Sequence, residues 1–407
     1  MTMTDDLTAA PPADLVQGCD AVFPQAEFAA RLARLRRAIL PLGVDAILLT
    51  GPENIFWACG RQTAGYFAFQ ALVVPLQGEP VLLVRQLETT GARASTWLRD
   101  IRAWQDGEDP ARALAGLVAD LGIRRLAVER DGWFVSQSLG ARIAAALDGV
   151  ALSDGSSVVE GLRAVKSPAE LAAIRRAAGY ARAGLSAAIA HCAAGTSEND
   201  LAAAMLSAAV SAGSEAMAME PLVSSGPRSG VPHATWRRRV LCPGDPVFLE
   251  LAASHDRYHA ALMRSVWIGP PPAEARRMMD VALRALDAAL AAMRPGVPCS
   301  LPHEAAQAVI DDAGYTAAFR KRIGYSMGTA FAPDWGEGAI LSLFSGVGRE
   351  LEPGMVFHLP ATLRAYGAFT VGASETVIVT PTVIEILSDL PRSLCIDRKS
   401  TRLNSSH

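Results

Sequence analysis

The sequence lacks the features of a membrane-spanning, disulfide-rich or nucleic-acid-binding protein. Charged residues or glycine interrupt each apolar run before the ~20 residues that a membrane-spanning helix needs. The six cysteines form no Cys-x-x-Cys pair, which argues against a disulfide framework or a structural zinc site. The 38 basic and 41 acidic side chains give a formal net charge of -3, without a basic stripe. We therefore expect a soluble, cytoplasmic protein with no nucleic-acid and no membrane partner.

Neither end of the chain is expected to join the fold. Residues 1–20 lack the basic and then apolar pattern of a signal peptide and are predicted to be flexible. The last eleven residues, 397–407, resemble the in-frame translation of a sequencing adapter. We therefore predict that this end is not native and set it aside.

The first part of the chain has the pattern of an α/β domain. Half of all residues are hydrophobic and 19% are charged, which is typical of a globular protein, and the length favours two domains. Segments with helical apolar spacing alternate with short apolar runs. This pattern predicts helices at 24–41 and 110–121 and strands at 45–50, 71–75, 80–85 and 125–129.

The boundary between the domains is predicted near Arg163. Just after it, Ser167 can cap a helix, Pro168 suits the first helical position, and Glu170 completes a capping box. The pattern beyond predicts helices at about 168–192, 197–212 and 273–293 and strands at 247–252, 264–268, 355–359 and 376–380. We expect one domain over residues 21–162 and a second over residues 163–396.

Glu250 is the acidic residue that most needs an explanation, because it stands in the apolar stretch Phe248-Leu249-Glu250-Leu251. A buried carboxylate without a partner is costly, so Glu250 is paired, at a strand end, or functional. Other clusters of polar and aromatic side chains surround His233, Tyr325 and Trp335. Taken singly, each cluster also has an ordinary structural interpretation.

Taken together, these segments resemble the pita-bread family of metallopeptidases and its metal-free relatives. That family includes prolidase, aminopeptidase P, creatinase and ectoine hydrolase. The resemblance covers roughly residues 20–396 and rests on RAVKSPAE at 163–170, CPGDPVFLE at 242–250 and EPGMVF at 352–357. It implies an α/β protein in which a creatinase-type N-terminal α/β domain precedes a pita-bread domain, an α+β fold with pseudo-two-fold symmetry.

The resemblance also implies that the metal ligands are missing. The metallopeptidases bind two metal ions through two Asp, one His and two Glu, and these positions fall at Glu250, Ala261, Tyr325, Pro360 and Ser374. Divalent ions need several converging oxygen or nitrogen ligands. A shift of alignment could bring His358 or Glu375 into the set, but it could not replace Ala261. We therefore expect no metal and no other cofactor.

What remains resembles the metal-independent branch, and ectoine hydrolase most of all. This implies hydrolysis of a C–N bond in a small zwitterionic amidine-type compound, with ectoine or hydroxyectoine opened to N-acetyl-diaminobutyrate. Glu250 would act as nucleophile or as general base, and His233 would protonate the departing nitrogen. The substrate-binding residues expected from the resemblance are Tyr258, His259, Arg264, Tyr325, Asp334, Trp335, Glu337, His358 and Glu375.

The family's dimers complete the pocket with the N-terminal domain of the partner. By this resemblance we expect a homodimer in which Arg61, Tyr66 or Phe69 reaches the partner's substrate. Two other functions stay open beside the hydrolysis of ectoine or creatine. One is a metal-dependent aminopeptidase P or prolidase, and the other is a catalytically silent binding protein that keeps the pocket.

Overall fold

The computed structural model describes residues 17–397, which divide into two compact units, the first ending at Arg163 and the second beginning at Ala164. The rest of the predicted flexible N-terminus and of the end predicted to be non-native lies outside the described residues. The structure describes a small part of each end. Residues 17–20 are held by backbone hydrogen bonds to Arg93 and Ala94, and Asp397 is the last residue of a strand. Within residues 17–397, no helix is both long and apolar enough to cross a membrane.

The first unit combines a six-stranded sheet with helices. Its strands are β1 (Ala46–Leu49), β2 (Ala71–Pro75), β3 (Val81–Arg85), β4 (Ile101–Trp104), β5 (Arg125–Val128) and β6 (Ala151–Asp154). Its helices are α1 (Gln25–Ile39), α2 (Pro52–Cys59), α3 (Thr89–Ser95), α4 (Pro110–Asp120), α5 (Gln137–Ala146) and α6 (Val158–Arg163). The strand order is β4-β3-β2-β1-β5-β6, with β1 antiparallel to β2 and parallel to β5.

Every element predicted for this unit is present, and the α/β pattern is confirmed. The N-terminus of α4 is capped by Asp109, whose side chain accepts a hydrogen bond from the backbone of Ala111. The elements that the pattern missed include β4 and β6. Both are only half-buried, so they lack the continuous apolar run that marked β1, β2 and β3.

The three residues expected to reach a partner's substrate have contacts within their own unit. Arg61 is buried and forms an ion pair of 2.6 Å with Glu88, so its charge is already compensated. The ring of Tyr66 packs edge-on against Phe134, with 5.9 Å between ring centroids. The half-buried Phe69 packs against the core of this unit.

The second unit is built on a nine-stranded sheet. Its helices are α7 (Pro168–His191), α8 (Glu198–Ala212), α9 (Ala273–Ala292) and α10 (Ser300–Asp312). Its strands are β7 (Leu222–Ser225), β8 (Pro246–His255), β9 (Tyr258–Ile268), β10 (Gly324–Ser326), β11 (Ser342–Leu343), β12 (Val356–Ala365), β13 (Phe369–Val379), β14 (Ile384–Ile386) and β15 (Cys395–Asp397). The main path is β11-β10-β12-β13-β9-β8-β7.

The predicted start of α7 is confirmed. Ser167 accepts a hydrogen bond from the Glu170 backbone, and the Glu170 side chain accepts one from the Ser167 backbone. Gly184, inside this helix, allows close packing on the sheet. A Cβ there would lie 2.6 Å from Leu251 Cδ2 and 2.8 Å from the Met205 carbonyl oxygen. This explains why a residue with poor helix propensity stands in the middle of a helix.

Strands β8 and β9 form one long hairpin where the sequence predicted two shorter strands. Its turn lies at Asp256 and Arg257, which both have positive φ angles, 49° and 66°. Two-residue hairpin turns of this kind usually contain glycine, whose absence here concealed the turn in the sequence.

Alternation along β8 and β12 sends side chains to two different sides of the sheet. Leu249 and Leu251 of β8 pack with the core around α7 and α8, and Leu359 and Leu363 of β12 pack with the core around α9. Helices therefore cover one face of the sheet. The intervening residues of both strands face the other side.

Candidate functional site

A cavity of about 760 Å³ opens in the second unit, on the side of the sheet that faces away from the helices. We call it the Glu250 cavity. Its volume lies within the range of about 300–1,000 Å³ that is typical of small-molecule sites. The residues from strands that line it are Leu222, Phe248, Glu250, Tyr325, Pro360, Thr362 and Arg364. Loops add His233, Arg320, Lys321, Arg322, Asp334, Trp335 and Tyr366 among others.

Glu250 supplies a buried carboxylate to this cavity. The residue is only 8% exposed, and its side chain accepts no hydrogen bond from any residue in 17–397. Burial raises the pKa of Glu250 to about 7, and the positive charges of Lys321 and Arg364 oppose that rise. A desolvated, unpaired carboxylate with a pKa near neutrality is suited to general-base or nucleophilic chemistry.

Four basic side chains line the same cavity, and the sequence analysis missed all of them: Arg320, Lys321, Arg322 and Arg364. Within the described part of the chain, none of them forms an ion pair with an acidic side chain. Arg364 is oriented by Thr370, whose Oγ1 accepts a hydrogen bond of 2.8 Å from Arg364 Nε. Lys321 donates a hydrogen bond to the carbonyl oxygen of Pro360, and burial lowers its pKa to about 7.

The sequence carried two signals of this basic lining. One is the uninterrupted basic run at 320–322, close to the segment that contains Tyr325. The other is the spacing of Arg364, four residues after Pro360 and therefore on the same side of β12. Unpaired cations at a cavity wall favour a substrate with an anionic group, such as a carboxylate.

Tyr325, Trp335 and His358, which were all predicted to bind substrate, form one hydrogen-bonded network. Trp335 Nε1 donates to the Tyr325 hydroxyl oxygen at 2.9 Å. The same oxygen lies 2.9 Å from His358 Nδ1, and His358 Nε2 lies 2.7 Å from Ser374 Oγ. Tyr325 and Trp335 line the cavity, whereas His358 is fully buried and contacts Tyr325. Burial lowers the pKa of His358 to about 3 and raises that of Tyr325, so both rings are neutral near pH 7.

His233 and Asp334 lie at the exposed edge of the cavity. His233 has a positive φ of 54° and also lines an adjoining cavity of about 430 Å³. Its ring has no hydrogen-bond partner among residues 17–397. Asp334 accepts a hydrogen bond of 2.9 Å from the backbone of Gly336, which is the ordinary role of an aspartate in a turn.

Besides His358, five more residues predicted to bind substrate do not line the cavity, so their expected place at the substrate is corrected here. The hydroxyl of Tyr258 donates to Glu170 at 2.8 Å, which ties β9 to the start of α7. His259 is fully buried, where its Nε2 accepts a hydrogen bond from the backbone of Ala218 and its Nδ1 bonds the Arg257 carbonyl. Burial lowers the pKa of His259 to about 4, which keeps the ring neutral.

The other three of these residues form buried ion pairs. Arg264 pairs with Glu375 at 2.9 Å and also donates to backbone carbonyls, including that of Leu390. Glu337 pairs with Lys166 at 2.8 Å. Charged groups that are buried in this way need their partners, so these three residues hold the fold together and are not available to a substrate.

The side chains at the family's metal positions do not fit a dinuclear metal site. Ala261 and Pro360 have no donor atom in their side chains, and the ammonium group of Lys321 binds the Pro360 carbonyl. Ser374 is committed to His358 and to the backbone of Met263. A shift of alignment could have made His358 and Glu375 metal ligands, but His358 is hydrogen-bonded to Tyr325 and Glu375 is paired with Arg264. Among residues 17–397, no group of three or more His, Cys, Asp or Glu side chains could hold a metal ion.

The sequence matches two family models that together cover most of the chain. The Creatinase/Prolidase N-terminal domain matches residues 31–165, and metallopeptidase family M24 matches residues 172–381. The ectoine hydrolase of Halomonas elongata is 27% identical over 395 residues, covering 92% of this chain and 98% of that protein.

Solved structures share the fold. A dipeptidase from Mycobacterium ulcerans has a TM-score of 0.79 at 26% identity, covering 92% of this chain and 99% of its own. An X-Pro aminopeptidase from Thermotoga maritima has a TM-score of 0.78 at 25% identity, covering 90% and 99%. The expected order of a creatinase-type domain followed by a pita-bread domain is thereby confirmed. The chain belongs to metallopeptidase family M24 and is a hydrolase of that family with a creatinase/prolidase N-terminal domain.

Proposed function

We propose that this protein hydrolyses a C–N bond in a small substrate that carries a carboxylate and a cationic amidine-type group, and that it does so without a metal ion. Ectoine and hydroxyectoine are the first substrates to test. The observation that carries the proposal is the unpaired Glu250 carboxylate, which faces a cavity. Two of the expected metal-ligand positions, Ala261 and Pro360, have no donor atom in their side chains. The 27% identity with an ectoine hydrolase supports the choice of substrate.

The lining of the cavity suits both ends of such a zwitterion. The amidinium group would face Glu250, with Tyr325 and Trp335 as aromatic neighbours that favour a cation. The carboxylate would bind the guanidinium groups of Arg364 and Arg322, which form no ion pairs among the described residues. Bound in this way, each charged end of the substrate would lie beside a group of opposite charge.

The chemistry then uses two side chains. As general base, the Glu250 carboxylate takes a proton from water while the water oxygen bonds to the amidinium carbon, and the π electron pair of the C–N bond moves to nitrogen. His233 gives a proton to the departing nitrogen, which leaves with its bonding pair as an amine, and the hydroxyl of the intermediate releases its proton to solvent water as the carbonyl forms. As nucleophile, Glu250 would itself bond to the carbon, and the departing nitrogen would leave with its bonding pair and a proton from His233. Water would then attack the Glu250 carboxyl carbon and release the product. Incorporation of ¹⁸O from labelled water into Glu250 after a single turnover distinguishes the two routes.

We also propose a homodimer. On the first unit, Phe67 is 82% exposed and Trp133 is 60% exposed. Tyr66 and Trp133 both contact Phe134, so these three aromatic rings lie together, and Phe67 is the chain neighbour of Tyr66. Light scattering should give twice the chain mass for the unsubstituted protein and a smaller mass for Phe67→Asp. A monomeric unsubstituted protein would contradict this proposal.

The deciding experiment is proton NMR of ectoine incubated with chelator-treated protein. We expect N-acetyl-diaminobutyrate to form at a rate that EDTA does not change, and Glu250→Gln to abolish it. An activity lost with EDTA and restored by Mn²⁺ would refute metal independence.

A second function, peptide hydrolysis, is favoured by the structural likeness to the dipeptidase and the X-Pro aminopeptidase, at 26% and 25% identity. Cleavage of an Xaa-Pro dipeptide in the same assay, with and without added Mn²⁺, tests it. Cleavage of the dipeptide together with an unchanged ectoine spectrum would replace the first proposal by this one.

A further inference from the structure

The network that joins Trp335, Tyr325, His358 and Ser374 ends at the Glu250 cavity, and its hydrogen atoms can be arranged in two ways. Three contacts of 2.9, 2.9 and 2.7 Å join the four side chains in that order. A fourth contact, of 2.8 Å, brings the backbone N–H of Met263 to Ser374 Oγ. Trp335 and Met263 can only donate, so the remaining freedom lies in two hydroxyl groups and one imidazole.

In the first arrangement, the Tyr325 hydroxyl donates to His358 Nδ1. The neutral imidazole then carries its proton on Nε2 and donates to Ser374 Oγ. That oxygen would accept two hydrogen bonds, and its own hydrogen would need an acceptor. No residue in 17–397 supplies one, and Ser374 is 0% exposed. This arrangement leaves a buried hydroxyl donor unsatisfied, which costs about 1–3 kcal/mol.

In the second arrangement, Ser374 donates its hydrogen to His358 Nε2. The imidazole carries its proton on Nδ1 and donates to the Tyr325 oxygen, which also accepts from Trp335. Every buried group in the network is then satisfied. The hydroxyl hydrogen of Tyr325 is the one donor left over, and Tyr325 is the half-buried member of the network that lines the cavity.

We infer that Tyr325 directs its hydroxyl hydrogen into the Glu250 cavity and donates a hydrogen bond to the oxygen bound to the carbon under attack. This assignment rests on the proposed function for the identity of the reaction, but not for the direction of the hydrogen. No proton is transferred in this role. The two hydrogen bonds that Tyr325 accepts fix its oxygen before substrate arrives, which is the preorganisation that makes such donors effective.

The electrostatics of the site agree with a neutral donor. Burial and the nearby charge of Glu250 both raise the pKa of Tyr325, so the phenol stays protonated. Burial lowers the pKa of His358 to about 3, so the imidazole stays neutral and has a single proton to place. Tyr325 also stands where the metal-binding members of the family are expected to carry a histidine ligand. A phenol donor would thus stand where those members have a metal ligand.

The position of the His358 proton tests the inference without any substrate. We would label the full-length protein with ¹⁵N-histidine and record two-bond ¹H–¹⁵N correlation spectra near pH 7. The His358 signals are those absent from His358→Asn or, if that variant does not fold, those left after replacing the six other histidines one at a time. Protonated Nδ1 is expected, and protonated Nε2 would overturn the inference. This measurement needs no turnover, so its result does not depend on whether ectoine is the substrate.

Kinetics test the role of the donor. Tyr325→Phe should lower kcat by about 10²–10³-fold, as removal of one oxyanion-hole donor does, with KM changed by less than about threefold. Tyr315→Phe is the matched control, because the Tyr315 hydroxyl bonds Glu274 on a helix and not a cavity group. A Tyr325→Phe protein that keeps more than about a third of the wild-type kcat would refute the catalytic role. A wild-type protein that leaves ectoine unchanged would refute the proposed substrate instead.

Discussion

Replacing Glu250 by glutamine should make the protein more stable at alkaline pH while it abolishes turnover. The folded protein holds the Glu250 proton up to about pH 7, whereas the ordinary pKa of the group is 4.5. The unfolded chain therefore releases this proton first as the pH rises. The contribution of the protonated Glu250 to the free energy of unfolding is fully present below pH 4.5. It decreases progressively as the pH rises from 4.5 to about 7.

The size of this loss follows from the shift in pKa. The difference of 2.5 units between 4.5 and about 7 corresponds to about 3 kcal/mol at 1.36 kcal/mol per unit. The attraction of Lys321 is already contained in this pKa. Because part of the loss is complete at pH 5, the change between pH 5 and pH 8 is about 2 kcal/mol. Glutamine has the shape of the carboxylic acid and carries no charge, so its own cost of burial does not change with pH.

Urea unfolding followed by tryptophan fluorescence at pH 5 and pH 8 measures the effect. The gain in unfolding free energy for Glu250→Gln should be about 2 kcal/mol larger at pH 8 than at pH 5. Glu79→Gln is the control, because it removes the same charge from a residue that is exposed in the turn between β2 and β3 and does not line the cavity. A Glu250→Gln protein that is less stable than wild type at pH 8 would show that the carboxylate is compensated and that our account of its burial is wrong.

Three other results are expected. The pH profile of kcat/KM should rise up to about pH 7 and fall about tenfold per unit below it, because Glu250 must be ionised; a flat profile between pH 5 and 7 would contradict this. Arg364→Ala should raise the KM for the substrate about ten- to a hundredfold, which is the effect of losing a charge-assisted hydrogen bond. The KM for an analogue that has an amide in place of the carboxylate should not change. Equal effects on both compounds would show that Arg364 does not contact the carboxylate. Glu337→Gln should lower the free energy of urea unfolding by about 3–5 kcal/mol, because it leaves the buried Lys166 ammonium without its counter-ion; a loss below about 1 kcal/mol would contradict the pairing.

Local signals in the sequence predicted much of the fold correctly. The start of α7 was readable because Ser167, Pro168 and Glu170 satisfy the backbone of their own first turn and need nothing from the rest of the chain. The β8–β9 hairpin was less readable, since its turn uses Asp256 and Arg257 in place of glycine. Strand β4 was missed because it is half-buried and lacks a long apolar run.

The candidate site also contains residues that the sequence identified and residues that it missed. Glu250 was recognisable because an acid inside an apolar strand needs a reason to be there, and the structure places it at a cavity. Arg264 was assigned to a substrate because its charge was visible in the sequence, whereas its partner Glu375 lies 111 residues further along the chain. The basic wall was missed for a related reason. Lys321 and Arg364 belong to different elements, and only the folded sheet brings them to one cavity.

The sequence by itself determined the family and the order of the two domains, and it predicted that metal ligands are missing and that Glu250 is central to the site. Each of these depends on residue identity at a position, or on contacts within a few residues. Only the tertiary structure decided which charged groups are paired and which remain available. It joined Arg264 to Glu375 and Glu337 to Lys166, and it left Glu250 without a partner among the described residues. A charged side chain forms an ion pair when folding brings an opposite charge within about 4 Å of it, and this distance cannot be read from the sequence.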